Sequence, residues 1–368
     1  MTQTSIFVNR LTLSNASAYN IFFSIDTKEA FPYTLPDTKQ TVIGIRTREV
    51  APMKGWILYK DSANRLKPET YEINRLIETA GRNDIDITVI QPEQFELIVS
   101  GENRESVLLD GEPVALPDFL LPRMGAGTTY FALAIIRHLE RLGVYSFSPS
   151  HSIEVVKDKL YTHQILAENN LPIPKTMLAK FPVDMKKVRE HIGFPVVVKT
   201  LSGSQGFGVF LSESESSFED LMHLIEASDS TTNIILQEFI ESTMGRDLRV
   251  ITIGGRAVAC MERSVSDGSF KASYSRGGNV KQHEITPEIE WLATQTSQIL
   301  KLDMAGIDLL FAGDHYKICE ANSSPGFEGI ESCCDIDIPK EIYDFIRIRF
   351  GVFDNSRISS HVPKVPHR

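Results

Sequence analysis

Phe194-Pro-Val-Val-Val-Lys199, followed by Ser202-Gly-Ser-Gln-Gly-Phe-Gly208, predicts a strand that ends in a lysine and leads into a glycine-rich loop. Three consecutive valines favour a fully buried strand, because β-branched side chains pack well on a pleated surface. Gly203, Gly206 and Gly208 let backbone N–H groups approach an anion where a Cβ would clash. Together the two segments indicate binding of a nucleoside triphosphate. An ordinary strand followed by a flexible hairpin is the alternative that these residues leave open.

The downstream sequence supplies further polar residues in a fixed order. After a predicted helix come Glu238 and Phe239, Asp247 and Arg249, Asp308, and finally Glu320 and Asn322. This succession resembles the ATP-grasp superfamily. Three motifs within it are similar to the RimK-type carboxylate-amine ligases, which include α-L-glutamate ligases, and the similarity extends over about Lys54 to Ile348. These motifs are Asp303-Met-Ala-Gly-Ile-Asp308, Cys319-Glu-Ala-Asn322-Ser-Ser-Pro-Gly-Phe-Glu-Gly-Ile-Glu331 and Arg276-Gly-Gly.

The resemblance implies an α/β and α+β chain with the ATP-grasp fold. A Rossmann-like pre-ATP domain would precede two α+β subdomains that sandwich ATP. The expected divisions are an N-terminal extension (1–53), the pre-ATP domain (54–150), the central subdomain (151–240), the C-terminal subdomain (241–350) and a tail (351–368). The family activates a carboxylate with ATP and Mg²⁺, with Mn²⁺ as an alternative ion, and joins it to an amino acid, by default glutamate.

Local sequence patterns agree with an α/β start. Trp56-Ile-Leu-Tyr59 and Ile85 to Ile90 predict strands, and Glu69 to Ala80 predicts an amphipathic helix closed by Gly81. A second helix is predicted from Tyr130 to Leu142, stopped by Gly143. Short strands that alternate with helices indicate a parallel sheet.

Composition excludes several function classes. A net charge of −10 argues against the broad basic surface of a nucleic-acid-binding protein. No apolar run approaches the roughly 18 residues needed to span a bilayer, so no membrane partner is expected. The four cysteines show neither zinc-site nor disulfide spacing, which favours a reducing, cytoplasmic location. The expected partners are a carboxylate substrate and an amino acid, with a peptide or protein as an alternative acceptor, and the chain is expected to form a homo-oligomer.

Two lysines are candidates for phosphate binding. Lys199 ends a run of valines and needs a polar partner, whereas Lys159 begins a predicted helix, where a solvent-facing lysine is the common alternative. In the family, lysines at both places reach the nucleotide phosphates.

The adenosine is expected to bind near Glu238 and Phe239, which correspond to the family's inter-domain hinge; an exposed glutamate on an edge strand is the alternative. Asp247 and Arg249 are two residues apart on a predicted strand and share a face. The resemblance assigns Asp247 to the ribose and Arg249 to the phosphates. A simple cross-strand ion pair is the alternative.

Asp308, Glu320 and Asn322 are the expected magnesium ligands. A turn around Gly313-Asp314 would form a hairpin in which Asp308 lies opposite Glu320, and Asn322 shares the face of Glu320. Oxygen side chains of this kind suit Mg²⁺, and burying three of them without a cation is costly. A solvated hairpin face is the alternative.

The remaining candidates lie around the expected cleft. Arg263, after a strand from Ala257 to Glu262, and Arg276 are assigned to catalysis, with loop arginines of no function as the alternative. Arg276, Arg123 and Ser324 are assigned to substrate binding, with a structural salt bridge as the alternative for Arg123. Lys271 and Ser273 stand where many family members carry Arg-Ser-Asn and are assigned to the nucleotide. Loss of the longer amide leaves open whether the same contacts form.

Two other functions fit the same fold. A small-molecule kinase would transfer phosphate to an alcohol and need no amine. A non-catalytic nucleotide-binding module would bind ATP without turnover, which the set of metal-type side chains argues against. Carboxylate-amine ligation through an acyl phosphate is the main prediction.

Overall fold

The computed structural model describes residues 52–61, 70–99, 106–201, 208–228, 233–265 and 278–351. These ranges form a mixed α/β structure with several sheets. The predicted N-terminal extension, apart from its last two residues, lies outside the described residues, and so does the tail beyond Gly351. Five candidate site residues lie outside them as well: Gly203, Gly206, Lys271, Ser273 and Arg276.

The first sheet is parallel, as the alternation of strands and helices predicts. Its strands are hydrogen-bonded in the order β2-β1-β6-β7. The chain between β2 and β6 forms a small antiparallel sheet with the strand order β3-β4-β5. The elements of this part are β1 (Met53–Leu58), α1 (Tyr71–Arg82), β2 (Ile85–Ile90), β3 (Phe95–Leu97), β4 (Val107–Leu109), β5 (Glu112–Pro113), β6 (Phe119–Pro122), α2 (Tyr130–Arg141) and β7 (Tyr145–Ser146).

The two helix ends predicted from glycines have different outcomes. Gly143 follows α2 with φ +92°, the left-handed conformation that glycine adopts without cost, and the prediction is confirmed. The predicted stop at Gly81 is wrong, because α1 continues to Arg82. The residue that takes the left-handed conformation there is Asp84, with φ 52°. Aspartate tolerates this region better than most residues, so it can end a helix without a glycine.

Gly55 in β1 packs directly against the neighbouring strand. A Cβ here would lie 2.2 Å from Phe119 Cζ, and Phe119 is fully buried and cannot move aside. We expect Gly55→Ala to lower the free energy of unfolding by about 1–3 kcal/mol, the usual cost of overpacking, measured by urea denaturation. Gly81→Ala is the control, because no described atom lies within 4 Å of its Cβ, and it should stabilise the helix by about 0.5–1 kcal/mol. Equal stability of Gly55→Ala and wild type would contradict this packing.

The second sheet is antiparallel, with strand order β10-β9-β11-β8. The elements of this part are α3 (Ser150–Lys157), α4 (Lys159–Glu168), β8 (Thr176–Leu178), α5 (Met185–His191), β9 (Val196–Thr200), β10 (Val209–Ser212), α6 (Glu215–Ser228) and β11 (Ile234–Glu238). The expectation of a fully buried valine strand is wrong. Val196 and Val198 are buried, whereas Val197 and Lys199 are half-buried on the other face, because helices cover this antiparallel sheet on one side only.

The third sheet is also antiparallel, with strand order β14-β13-β12-β15-β16. Its elements are β12 (Arg246–Ile253), β13 (Arg256–Ser264), β14 (Asn279–Gln282), α7 (Pro287–Ile299), β15 (Met304–Ala312), β16 (His315–Asn322), α8 (Glu328–Cys333) and α9 (Ile338–Arg349). Arg263 was expected after its strand but lies within β13, because β13 continues to Ser264. A turn at Gly313, with φ +68°, joins β15 to β16.

The first and third sheets share a hydrophobic core. One cluster contains Ile57 and Phe119 from the first sheet together with Ile251, Met304 and Tyr343 from the third sheet and α9. The second sheet has a separate cluster formed with α5 and α6. Burial of apolar area is the main source of rigidity between packed elements. Val155 of α3 and Leu166 of α4 pack in a further apolar cluster with Leu248 of the third sheet. Polar contacts described below also connect the second sheet to the third.

Candidate functional site

Four strands of the third sheet carry polar side chains on one face, which we call the polar face. Asp247 lies opposite Arg263, Arg249 opposite Asp308, and Asp308 opposite Glu320. Asn322 is two residues beyond Glu320, opposite Gly306. Directly opposed residues, and residues two apart on a strand, point to the same side of a sheet. The structure therefore brings together six of the predicted site residues: Asp247, Arg249, Arg263, Asp308, Glu320 and Asn322.

A β-bulge sets the pairing of Asp308 with Glu320. Near the turn, Ala312 pairs with His315 and Leu309 with Ile318, and this register would place Asp308 opposite Cys319. A shift between Asp308 and Leu309 adds one residue to β16, so Glu320 lies opposite Asp308. Bulges often occur beside functional sites, where they redirect a side chain.

Two arginines bind the buried carboxylates of the polar face. Arg249 donates from Nε and Nη2 to the two oxygens of Asp308, both at 2.7 Å. Arg263 makes the same two-pronged contact with Asp247, also at 2.7 Å, and its Nη2 lies 3.0 Å from Asp308 Oδ2. The side chains of Arg263 and Asp308 are only 7% and 8% exposed. The ion-pair alternative for Asp247 and Arg249 is thus present here, with Arg263 and Asp308 as partners.

Burial and charge act in opposite directions on these groups. Burial raises the pKa of Asp247, although Arg263 acts to lower it. For Asp308, burial also acts to raise the pKa, but Arg249 and Arg263 outweigh it and hold the pKa below its usual value. Asp308 is therefore ionised at neutral pH, with Arg249 and Arg263 as its partners.

Lys199 extends from the second sheet to the third. Its Nζ lies 3.4 Å from the Sγ of Cys319, the residue of β16 that precedes Glu320. Burial raises the pKa of the Cys319 thiol, and Lys199 acts in the opposite direction. Lys159, the first residue of α4, lines a small hollow together with Cys319 and Glu320. Both predicted phosphate-binding lysines therefore lie beside the bulged part of β16.

His163 joins α4 to both sheets. Its Nε2 lies 3.0 Å from the carbonyl oxygen of Cys319, and its Nδ1 lies 3.0 Å from Thr176 Oγ1. Gln237 Nε2 donates to Thr176 Oγ1 at 2.8 Å. Burial lowers the pKa of His163 to about 4, so the ring is neutral near pH 7. A neutral ring that donates from Nε2 fixes the backbone just before Glu320.

The shifted pKa of His163 predicts acid sensitivity. Between pH 6.5 and about 4 the unfolded chain takes up a proton that the folded chain does not, so stability falls as the pH falls, by about 3 kcal/mol in total. We expect His163→Gln to remove most of this dependence in urea denaturation from about pH 7.5 to 4.5. His315→Gln, at a side chain that is 81% exposed, is the control and should keep the wild-type dependence. An unchanged pH dependence in His163→Gln would contradict a buried neutral histidine.

Glu238 ends β11, which is an inner strand rather than the edge strand of the alternative prediction. Its carboxylate accepts from the backbone N–H of Lys175 at 2.9 Å and forms a salt bridge with Lys317 of β16. These contacts hold its pKa below the usual value, against the effect of partial burial. Phe239 follows as the next residue. Glu238 thus links the second and third sheets.

Gly208 closes the glycine loop, of which the structure describes only this residue. It has φ +69°, and a Cβ would lie 2.3 Å from Thr200 Oγ1. Its carbonyl accepts from the N–H of Thr200 at 2.9 Å. Both the conformation and the close approach require glycine at this position.

Arg123 contacts protein groups. Its Nη2 donates to the carbonyl of Pro325 at 2.7 Å, and its guanidinium carbon lies 5.6 Å from the centre of the Phe327 ring. Burial lowers its pKa. The alternative of a structural salt bridge finds no support, because no carboxylate within the described ranges is in ion-pair contact with Arg123. Ser324 is half-buried, one residue before Pro325.

The side chains of the polar face suit a magnesium ion whose remaining ligands come from the substrate. No group of three or more His, Cys, Asp and Glu residues among those described is placed to hold a metal alone. The oxygen donors available are two carboxylates, Asp308 and Glu320, and the amide of Asn322. Mg²⁺ commonly binds through one or two carboxylates, with phosphates and water as the other ligands. The residues therefore fit Mg²⁺ that arrives with a polyphosphate.

Sequence reasoning missed several residues of this region. Cys319 contacts Lys199, which is 120 positions away in the sequence. His163 contacts Cys319 across 156 positions, and Lys317 contacts Glu238 across 79 positions. The only available signal was that Cys319 adjoins Glu320 within a recognised motif. A cleft of about 630 Å³ lies elsewhere and is lined by Tyr145, Asp303, Phe345 and Arg349 among others, so the presence of a cleft does not by itself identify the polar face.

Comparisons with known proteins identify the family of this chain. The profile of the RimK-like ATP-grasp domain matches residues 156–346, and that of the RimK pre-ATP-grasp domain matches residues 65–153. A probable alpha-L-glutamate ligase from Marinomonas sp. is 33% identical over 280 residues, covering 76% of this chain and 92% of the relative. One from Hydrogenovibrio crunogenus is 36% identical over 277 residues, covering 75% and 91%.

Solved structures show the same fold. The ATP-grasp ligase PsnB, complexed with a phosphomimetic variant of minimal precursor, Mg and ADP, gives a TM-score of 0.61 at 17% identity and covers 79% of this chain and 97% of that chain. D-alanine–D-alanine ligase from Bacillus anthracis gives a TM-score of 0.56 at 16% identity and covers 81% of this chain and 99% of that chain.

In the described part of this chain, no helix is long and apolar enough to cross a membrane. The chain belongs to the RimK-like ATP-grasp family and is an ATP-dependent ligase that forms a carbon–nitrogen bond.

Proposed function

We propose that this enzyme adds glutamate or another amino acid to a carboxylate of a small molecule, peptide or protein. The observation that carries the proposal is the polar face, where three oxygen side chains lie beside Arg249 and Arg263. The relatives named as glutamate ligases support glutamate as the added residue. PsnB complexes with its precursor peptide support a peptide as the acceptor class.

The reaction would proceed through an acyl phosphate. An oxygen of the substrate carboxylate attacks the γ-phosphorus of ATP, and ADP leaves. The amine nitrogen then attacks the acyl carbon, the C–O bond to phosphate breaks, and phosphate leaves as the amine loses a proton. Both steps depend on positioning and charge neutralisation more than on a covalent enzyme group.

We assign the described residues to these steps by position. Asp308, Glu320 and Asn322 would hold Mg²⁺, which neutralises phosphate charge when bound. Lys159 and Lys199 would contact the phosphates beside β16. Glu238 and Phe239 would meet the adenine, Asp247 the ribose, and Gly208 would close the glycine loop over the phosphates. Outside the described residues, Gly203, Gly206, Lys271 and Ser273 are proposed for ATP, and Arg276 for catalysis and substrate, with Arg123 and Ser324 beside the substrate.

Arg249 is proposed to change partners when ATP and Mg²⁺ bind. It now donates to both oxygens of Asp308 at 2.7 Å, and Asp308 is one of the residues that would hold Mg²⁺. The guanidinium of Arg249 would be repelled by positive charge held at Asp308 and attracted by bound phosphates. Arg249 and Arg263 would then stabilise charge on the transferred phosphoryl group.

The experiment that tests the proposal follows ADP formation and product mass. Purified protein is incubated with ATP, Mg²⁺, single amino acids and pools of carboxylates. A carboxylate whose mass increases by that of an amino acid minus water supports the ligase and identifies both of its substrates. A phosphorylated product that forms without any amine would overturn it in favour of a kinase.

The remaining expectations are part of the same proposal. We propose the domain divisions 54–150, 151–240 and 241–350, Mn²⁺ as a substitute for Mg²⁺, and assembly as a homo-oligomer. The four cysteines are unpaired, which supports a reducing compartment. Size-exclusion chromatography with light scattering tests the oligomer, and replacement of Mg²⁺ by Mn²⁺ in the ADP assay tests the metal.

A further inference from the structure

The segment after β16, residues 323–331, contacts both the third sheet and the first part of the chain. We call it the 323–331 segment. Pro325 lies over the polar face, close enough that a Cβ on Gly306 would be 2.6 Å from Pro325 Cβ. Gly306 pairs with Asn322, so the segment begins directly beside the proposed metal ligands. Its first residues form no helix or strand, so their backbone groups need other partners.

Helix α1 supplies the first of these partners. Glu72 Oε1 accepts from the backbone N–H of Phe327 at 3.0 Å. The same oxygen would lie 3.0 Å from a Cβ at Gly326, so glycine allows this close approach. Phe327 is fully buried, and its ring meets Tyr71 edge-on at 6.2 Å. Glu72 therefore fixes the middle of the segment through a charge-assisted hydrogen bond.

Further hydrogen bonds hold the segment on either side of Phe327. At the far end, the side chain of Glu331 is only 5% exposed; it accepts from Tyr71 Oη at 2.7 Å and from Arg75 Nε at 3.1 Å. At the near end, Arg123 donates to Pro325 O at 2.7 Å. We call Tyr71, Glu72, Arg75 and Arg123 the clamp.

We propose that the clamp positions the 323–331 segment as one wall of the pocket for the carboxylate and amine substrates, so that Glu72 is a positioning residue for substrate binding and not for ATP. This inference rests on the proposed function. Among the described residues, the clamp contacts none that is proposed for the nucleotide. Its contacts with Pro325, Phe327 and Glu331 all follow Ser324, which is proposed to lie beside the substrate. Loss of Glu72 therefore weakens the amino-acid or carboxylate subsite and leaves the ATP subsite intact.

The test separates the Michaelis constants. Glu72→Ala should raise the KM of at least one of the two joined substrates about tenfold, the effect of losing one charge-assisted hydrogen bond that orders a loop, and change the KM of ATP less than about twofold. Glu72→Gln keeps an oxygen acceptor and should restore most of the affinity. Arg82→Ala, on the same helix but bonded only to Glu78 among the described contacts, is the control and should match wild type.

A readout without turnover separates this inference from the proposed function. Hydrogen–deuterium exchange of peptides covering 323–331 should be faster in Glu72→Ala than in wild type, and unchanged in Arg82→Ala. Unchanged exchange overturns the clamp, whether or not the wild type is active. Faster exchange with equal changes in all Michaelis constants overturns its role in substrate positioning. Wild-type protein that makes no amide counts against the proposed function alone.

Discussion

Glu320→Gln is expected to lower kcat/KM for ADP formation roughly a thousandfold, the largest catalytic effect that we predict. A metal that neutralises phosphate charge contributes several kcal/mol to the transition state, and each 1.4 kcal/mol is about a factor of ten in rate. The substitution keeps the size of the side chain and removes one negative charge opposite Asp308. The measurement is steady-state ADP release as a function of Mg²⁺ concentration, in which the variant should require more Mg²⁺ for half-maximal rate.

Asp314→Asn is the matched control for this experiment. Asp314 is exposed in the turn of the same hairpin, and its loss of charge should leave both the rate and the Mg²⁺ dependence near wild type. If Glu320→Gln kept a tenth or more of wild-type activity with an unshifted Mg²⁺ dependence, Glu320 would not be a metal ligand. Thermal unfolding of both variants shows whether a lost rate reflects loss of fold.

The hairpin of the polar face shows how far sequence reasoning reaches. Residue spacing alone predicted Asp308 opposite Glu320, and the structure has that pairing. The prediction used a turn centred on one residue, whereas the observed turn lies between Gly313 and Asp314 and the bulge restores the register. A bulge has no clear sequence signature, because the extra residue needs only a local change of backbone angles. The pairing was right, and the bulge that produces it could not be foreseen.

Contacts between distant parts of the chain were beyond the reach of local patterns. The expected partners of Asp247 and Arg249 were ligands, with a cross-strand ion pair to an unnamed residue as the alternative, and the structure shows that the cross-strand partners are Arg263 and Asp308. The order of the strands in the sheet decides which residues become partners. The periodicity of the sequence predicts which side chains share a face of a strand, but not which strand lies beside it. The same holds for Arg123, whose contact with Pro325 O crosses 202 positions. The prediction that β9 is fully buried is wrong for a similar reason, because three consecutive valines do not reveal which face of the strand a helix covers.

Arg263→Met is expected to lower the free energy of unfolding by about 3–5 kcal/mol, because removal of one partner leaves a buried charge without compensation. Arg263 is 7% exposed and serves both Asp247 and Asp308. Arg256→Met, on the same strand at a 70% exposed position, is the control and should stay within about 0.5 kcal/mol of wild type. Urea denaturation at pH 7 gives both values, and a loss under about 1 kcal/mol in Arg263→Met would contradict a tight buried network.

The pH dependence of Arg263→Met identifies the cause of that loss. Without the guanidinium, burial raises the pKa of Asp247 in the folded state further above the unfolded value of about 3.9, while Asp308 keeps its contact with Arg249. A carboxyl with a raised folded pKa binds its proton more tightly when folded, so stability rises as the pH falls through that pKa. The deficit of Arg263→Met should therefore shrink between about pH 7 and pH 5. In Arg263→Met/Asp247→Asn the deficit should be smaller at pH 7 and depend less on pH, since one uncompensated carboxylate is gone. A deficit that stays constant from pH 7 to pH 5 would instead assign the loss to the packing of the arginine stem.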